Sequence, residues 1–171
     1  MLVVFAGLPG TGKTSLARAL AQAWPATYLR IDTIEQALRS GGNADVGPAG
    51  YLVAYRLAGD NLRLGRNVVA DCVNPLAVTR DAWRDVAEAA ARAILEVEVI
   101  CSDLDEHRRR VETRVGDIAG LKLPTWREIT ASDYQSWDRR RLVLDTATLT
   151  PTTALAKLQA EIAAGFARPS D

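Results

Sequence analysis

Leu2-Val3-Val4-Phe5-Ala6, followed without a break by Gly7-Leu8-Pro9-Gly10-Thr11-Gly12-Lys13-Thr14, carries a short apolar run into a glycine-rich turn. Five consecutive apolar residues bounded by Gly and Pro are the pattern of a strand buried on both faces. The turn matches G-x-x-x-x-G-K-[ST] at every fixed position. A helix is expected directly after it, over 13–24, with Leu16, Ala17, Leu20 and Ala23 along one face. Glycines at this spacing let successive N–H groups turn inward around a phosphate, which also meets the positive end of the following helix. Gly10, Thr11, Gly12, Lys13, Thr14 and Ser15 are therefore the residues expected against a nucleotide. Lys13 would reach the β- and γ-phosphates, and the Thr14 hydroxyl would ligate Mg2+. An ordinary strand-to-helix turn has no need of Lys followed by Thr. Gly10-x-Gly12 with Asp32 further on imitates a dinucleotide fingerprint, but that pattern wants a small residue, usually Gly, where Ser15 stands, and it leaves Lys13 without a role.

Outward from this point, strands and helices alternate. Strands are expected over 27–31, 67–71, 93–101 and 142–144, the last ending at Asp145. Helices are expected over 33–39, 49–64, 77–92, 105–115 and 153–166. Residues 41–48 read as loop, and 116–138 as irregular apart from a short helix near Trp126. Such alternation implies βαβ units, a parallel sheet and helices on both faces, with ligands outside the carboxyl ends of the strands.

The chain has 171 residues, 48% apolar and 25% charged, with 28 alanines among the apolar set. That is one domain's worth of core, spanning 1–171, and excludes a wholly disordered chain. Its 21 basic and 21 acidic residues cancel, which argues against a basic nucleic-acid binder or a polybasic membrane binder. Cys72 and Cys101 lie in apolar runs and suit a reducing, cytoplasmic setting better than a disulfide framework. A single histidine, His107, excludes a histidine-rich metal site. The longest apolar stretch is far below a membrane span, and no basic segment precedes the first apolar run. Monomer and dimer both remain open.

The acids at strand ends carry the next inference. Asp71 is placed to hold a Mg2+-bound water, with a simple strand-end turn as the competing reading. Asp32 is either a carboxylate base facing the γ-phosphate or the N-cap of the helix after it. Three lysines against 18 arginines make single arginines uninformative, but the run Glu106-His107-Arg108-Arg109-Arg110-Val111-Glu112-Thr113-Arg114 is dense. Arg110 and Arg114, at i and i+4, would share one face toward a phosphate chain. The alternative is a solvated face paired with Glu106 and Glu112. Gly116 and Gly120 then suggest a lid over 104–120.

The loop at 7–14, Arg30-Ile31-Asp32, the Val-Val-Ala-Asp strand at 68–71 and the arginine helix at 108–114 together resemble the P-loop small-molecule kinases. That group includes chloramphenicol phosphotransferase, the 5′-kinase domain of phage polynucleotide kinase, gluconate kinase and bacterial proteins labelled AAA family ATPases. The resemblance implies a five-stranded parallel sheet in the order 2-3-1-4-5. It implies that Asp32 takes the acceptor hydroxyl's proton, that Arg30 helps position the acceptor, and that Arg110 and Arg114 close over the nucleotide. The expected activity is ATP- and Mg2+-dependent transfer of the γ-phosphate to a hydroxyl of a small molecule. The acceptor would sit between Asp32 and a cap at 41–64, with Trp126 and Trp137 either lining it or packing the irregular segment. A polynucleotide 5′-kinase would need a basic groove and stacking aromatics. A regulatory nucleotide switch would need loops ordered by the γ-phosphate.

Overall fold

The structure, a computed structural model, describes residues 1–42 and 45–165. Along it run β1 (Leu2–Ala6), α1 (Lys13–Ala23), β2 (Ala26–Arg30), α2 (Ile31–Ser40), α3 (Ala49–Arg63), β3 (Asn67–Asp71), α4 (Ala77–Ala89), β4 (Ile94–Ile100), α5 (Leu104–Thr113), α6 (Trp126–Thr130), β5 (Leu142–Asp145) and α7 (Pro151–Ala163). The strands form one parallel sheet in the order β2-β3-β1-β4-β5, as expected.

β1 takes the centre because both of its faces are apolar. Leu2 and Val4 pack with Ala54, Ala58 and Leu62 of α3 and Trp83 and Ala87 of α4. Val3 and Phe5 pack with Leu16, Ala17 and Leu20 of α1 and Ala154 and Leu158 of α7. Each fully buried Leu or Phe contributes about 1.5–3 kcal/mol, so the central strand anchors both layers. In-register pairing of Phe5 with Asp71 puts the acid of β3 beside the turn that leaves β1.

β4 forms within the strand expected over 93–101, but it carries two acids. Glu96 and Glu98 alternate with Leu95, Val97 and Val99, and both glutamates are buried. A buried carboxylate is tolerable only when paired. Arg84 of α4 holds Glu96, its Nε donating at 2.9 Å. Arg141 at 2.5 Å and the Tyr134 hydroxyl at 3.1 Å hold Glu98. Arg80, also fully buried, donates to the carbonyls of Asn74, Pro75, Gln135 and Ser136. That guanidinium fastens the irregular segment before β5 onto the start of α4.

Helix ends shift for local reasons. α4 stops at Ala89 rather than at Arg92, because Ala91 turns to φ 51°. α2 begins at Ile31 with Arg30 as its N-cap, so Asp32 lies inside the first turn and is not the cap. Arg114 is the extended C-cap of α5 (ψ 142°), so helical spacing does not set its direction. The expected short helix near Trp126 is α6, closed by a Thr125–Glu128 capping box. Phe166, and residues 43–44 of the expected cap, lie outside the described residues. Cys72 and Cys101 are free and buried, and no described helix is long and apolar enough to cross a membrane.

Candidate active site

Two glycines fix the turn after β1. At Gly7, φ is 137° and a Cβ would stand 2.2 Å from the Val99 carbonyl oxygen of β4. At Gly10, φ is 88° and a Cβ would meet Val111 Cγ2 of α5 at 2.5 Å. Neither position admits a side chain. The Thr11 hydroxyl donates to Leu8 O at 2.9 Å, closing the turn on itself. His107 Nε2 lies 2.9 Å from Pro9 O; a carbonyl only accepts, so this nitrogen carries the proton. No side chain caps α1, which leaves its first N–H groups directed at the cleft for an anion.

A single cleft of about 810 Å³ runs from this turn across the carboxyl ends of β1 and β2. Gly10, Gly12, Lys13, Thr14 and Ser15 line one end of it, and Arg30, Asp32, Arg110 and Arg114 also reach it. Thr11 and Asp71 stand behind this surface, both buried. Asp71 Oδ2 accepts from the Tyr28 hydroxyl at 2.7 Å, and the Arg30 Nε is 3.8 Å away. Its other oxygen, Oδ1, is buried without a hydrogen-bond partner among the described residues. An unpaired buried carboxylate oxygen is costly, and a metal-bound water is the kind of donor it lacks.

Asp32 sits 3.7 Å from the Arg30 guanidinium. On the same face of α2, at i+3, i+4 and i+7, Glu35, Gln36 and Arg39 also line the cleft. That stripe was legible in the sequence as a helical period and went unread. Burial raises the pKa of Glu35, while Arg39 pairs with it at 3.2 Å. Arg110 is held by Glu106 (2.7 Å) and the Thr146 hydroxyl (2.8 Å). The Thr146 hydroxyl donates in turn to Thr11 O, also at 2.8 Å. Arg114 reaches Pro124 O at 3.4 Å.

Asp117 was missed altogether. It comes from the segment after α5, and its Oδ2 accepts from Arg30 at 2.8 Å and from Arg18 of α1. Both guanidiniums, Arg30 first, hold its carboxyl well below the usual carboxylate range. These partners are 87 and 99 residues away in sequence, so no local pattern announces them. Neither tryptophan lines the cleft. Trp126 meets His107 edge-on at 5.1 Å, and Trp137 stacks 4.1 Å from the Arg80 guanidinium.

Comparison with known proteins agrees with this architecture. A sequence model of the family described as the AAA domain matches residues 2–132. No curated protein matches the sequence. Among solved structures, a sugar kinase from Janibacter superposes with a TM-score of 0.70 at 16% identity, covering 96% of this chain and 95% of its own. The APS kinase of Mycobacterium tuberculosis in complex with AMPPNP and APS gives 0.60 at 24% identity, covering 95% and 96%. Kti12 of Chaetomium thermophilum in complex with ADP-AlF3 gives 0.68 at 19% identity, covering 98% and 100%. With the glycine turn, the lysine and the 2-3-1-4-5 parallel sheet in place, the chain belongs to the AAA domain family and has the P-loop fold shared with small-molecule kinases.

Proposed function

We propose that the protein transfers the γ-phosphate of ATP to a hydroxyl of a small molecule in the cleft between the glycine turn and α2. The observation that carries this reading is the placement of Asp32 and Lys13 on one continuous cleft. A carboxylate at the acceptor end is superfluous for nucleotide binding alone. The turn's N–H groups and Lys13 would hold the phosphate chain, and Arg110 and Arg114 would meet the charge that develops on the transferring group. Asp32 would orient the acceptor hydroxyl and take its proton as the new O–P bond forms and the bond to the departing ADP breaks. Arg30, 3.7 Å from Asp32, would help position the acceptor beside it.

Mg2+ fits the donor set. Thr14 would ligate it, and the unpaired Oδ1 of Asp71 would hold one of its waters. The ion would neutralise the phosphate oxygens. No group of three or more His, Cys, Asp or Glu side chains fit to hold a metal occurs among the described residues, so the nucleotide and water would complete the shell.

Phosphate and ADP release from ATP, measured with and without a pooled metabolite library, tests the proposal. Product formation that depends on added acceptor is expected. Slow hydrolysis indifferent to every acceptor would replace it with a regulatory nucleotide-binding role, and a response confined to nucleic-acid ends with a polynucleotide kinase.

A further inference from the structure

Among the described residues the cleft is lined by seven cationic side chains and three carboxylates. Lys13 and Arg110 stand at the glycine turn, Arg39 is paired with Glu35, and Arg114 and Lys122 belong to the segment after α5. What remains at the acceptor end is a convergence of Arg18 from α1 and Arg30 from β2 on one carboxylate oxygen, Asp117 Oδ2. Two guanidiniums from separate elements meeting at one oxygen form an anion receptor. The chain fills it with its own carboxylate.

The two halves of this contact are built differently. The Arg30 side chain is 9% exposed and flanked by Asp32 and Asp71, at 3.7 and 3.8 Å, so it stays aimed whatever Asp117 does. Asp117 is 44% exposed and Arg18 46%. No residue between Glu112 and Glu128 is buried, and Val115, beside this contact, is 91% exposed. The segment 114–124 is thus held over the cleft by polar contacts rather than by packing. Ion pairs with exposed partners contribute little to stability, so a ligand anion can replace Asp117.

We propose that the acceptor carries an anionic group, a carboxylate or a phosphate, that binds between Arg18 and Arg30 in the position Asp117 occupies. This inference rests on the kinase reading of the same cleft. An anion there lies across the Arg30 guanidinium from Asp32, so the receptor selects hydroxy acids or hydroxyalkyl phosphates over neutral alcohols. It also frees the segment 115–124 as the acceptor enters, which couples acceptor binding to Arg114 at the segment's root.

The test uses the full chain saturated with Mg·AMPPNP, so that the glycine turn is filled, and calorimetric titration with glycerate, glycerol 3-phosphate and glycerol. Both anions should bind and glycerol should not; the tighter anion identifies the group. Asp117→Asn should strengthen anion binding roughly fivefold, because the carboxylate that competes for Arg18 and Arg30 is removed. Arg30→Gln in that background should abolish it. In the unmodified protein the better anion should raise hydrogen exchange across 115–121. Anion affinity unchanged or weakened by Asp117→Asn, equal binding of glycerol, or undisturbed exchange at 115–121 would overturn the proposal. Normal AMPPNP binding with no anion response removes this inference alone, whereas failure to bind AMPPNP removes the kinase reading with it.

Discussion

The two ends of the cleft are held by different physics. At the glycine turn, Gly10 is pressed against Val111, His107 grips Pro9 O, and Thr146 joins Thr11 O to Arg110. Lys13 is only 7% exposed there. At the other end, residues 114–124 contribute no buried side chain and are fastened through Asp117 to Arg18 and Arg30. A site for a phosphate chain needs fixed N–H groups, so it is built into packed backbone. A site that must admit and release an acceptor needs a cover that detaches at small cost.

The sharpest way to break this contrast is at the rigid end. Lys13→Ala should reduce ATP turnover to background while thermal unfolding stays near that of the unmodified protein. Undiminished turnover would remove the glycine turn from the chemistry. Gly10→Ala should lower Tm by roughly 4–8 °C, the equivalent of about 2 kcal/mol of overpacking and strain, and weaken nucleotide binding. A neutral result there would mean that the α5 contact is loose.

At the soft end, Asp117→Asn should shift Tm by no more than about 4 °C at pH 7. Because partnering lowers the Asp117 pKa when folded, the small contribution of the contact is complete above the ordinary carboxylate range. It fades only as pH falls through the lowered value. The Tm difference between the two proteins should accordingly be flat from pH 7 to 5 and close in stronger acid. A large Tm loss at pH 7 would show that the cover is packed, not merely latched.

How much of this was readable before the structure follows the same division. The rigid end is local in sequence: an apolar run, glycines at fixed spacing, Lys then Thr, and an acid ending β3. The sheet order came with the resemblance these segments carry. The strand at β4 was legible, but the burial of its two glutamates was not, because their partners, Arg84 and Arg141, lie 12 and 43 residues away. The cap reading that competed for Asp32 stayed open because the sequence does not show that β2 passes into α2 without a break, which makes Arg30 the N-cap. Arg110 and Arg114 do reach one cleft, yet Arg114 arrives as an extended C-cap rather than along a helical face. The soft end was illegible. Its contacts are long-range, exposed and electrostatic, and Asp117 in a glycine-bearing segment looks like any loop acid.

The central claim is that the cleft performs acceptor chemistry and does not only hold a nucleotide, and Asp32→Asn tests it most directly. Asp32 lies in the first turn of α2, 38% exposed, so Asn there costs at most the 0.3–1 kcal/mol of a helix-terminus charge. Nucleotide affinity, measured with Mg·AMPPNP, should match the unmodified protein. Phosphoryl transfer to the acceptor identified by screening should fall by roughly 10²–10⁴-fold, the range for loss of a positioned general base. Transfer at the normal rate by a variant that binds nucleotide normally would contradict the account and leave Asp32 a helix-terminal residue without a part in catalysis.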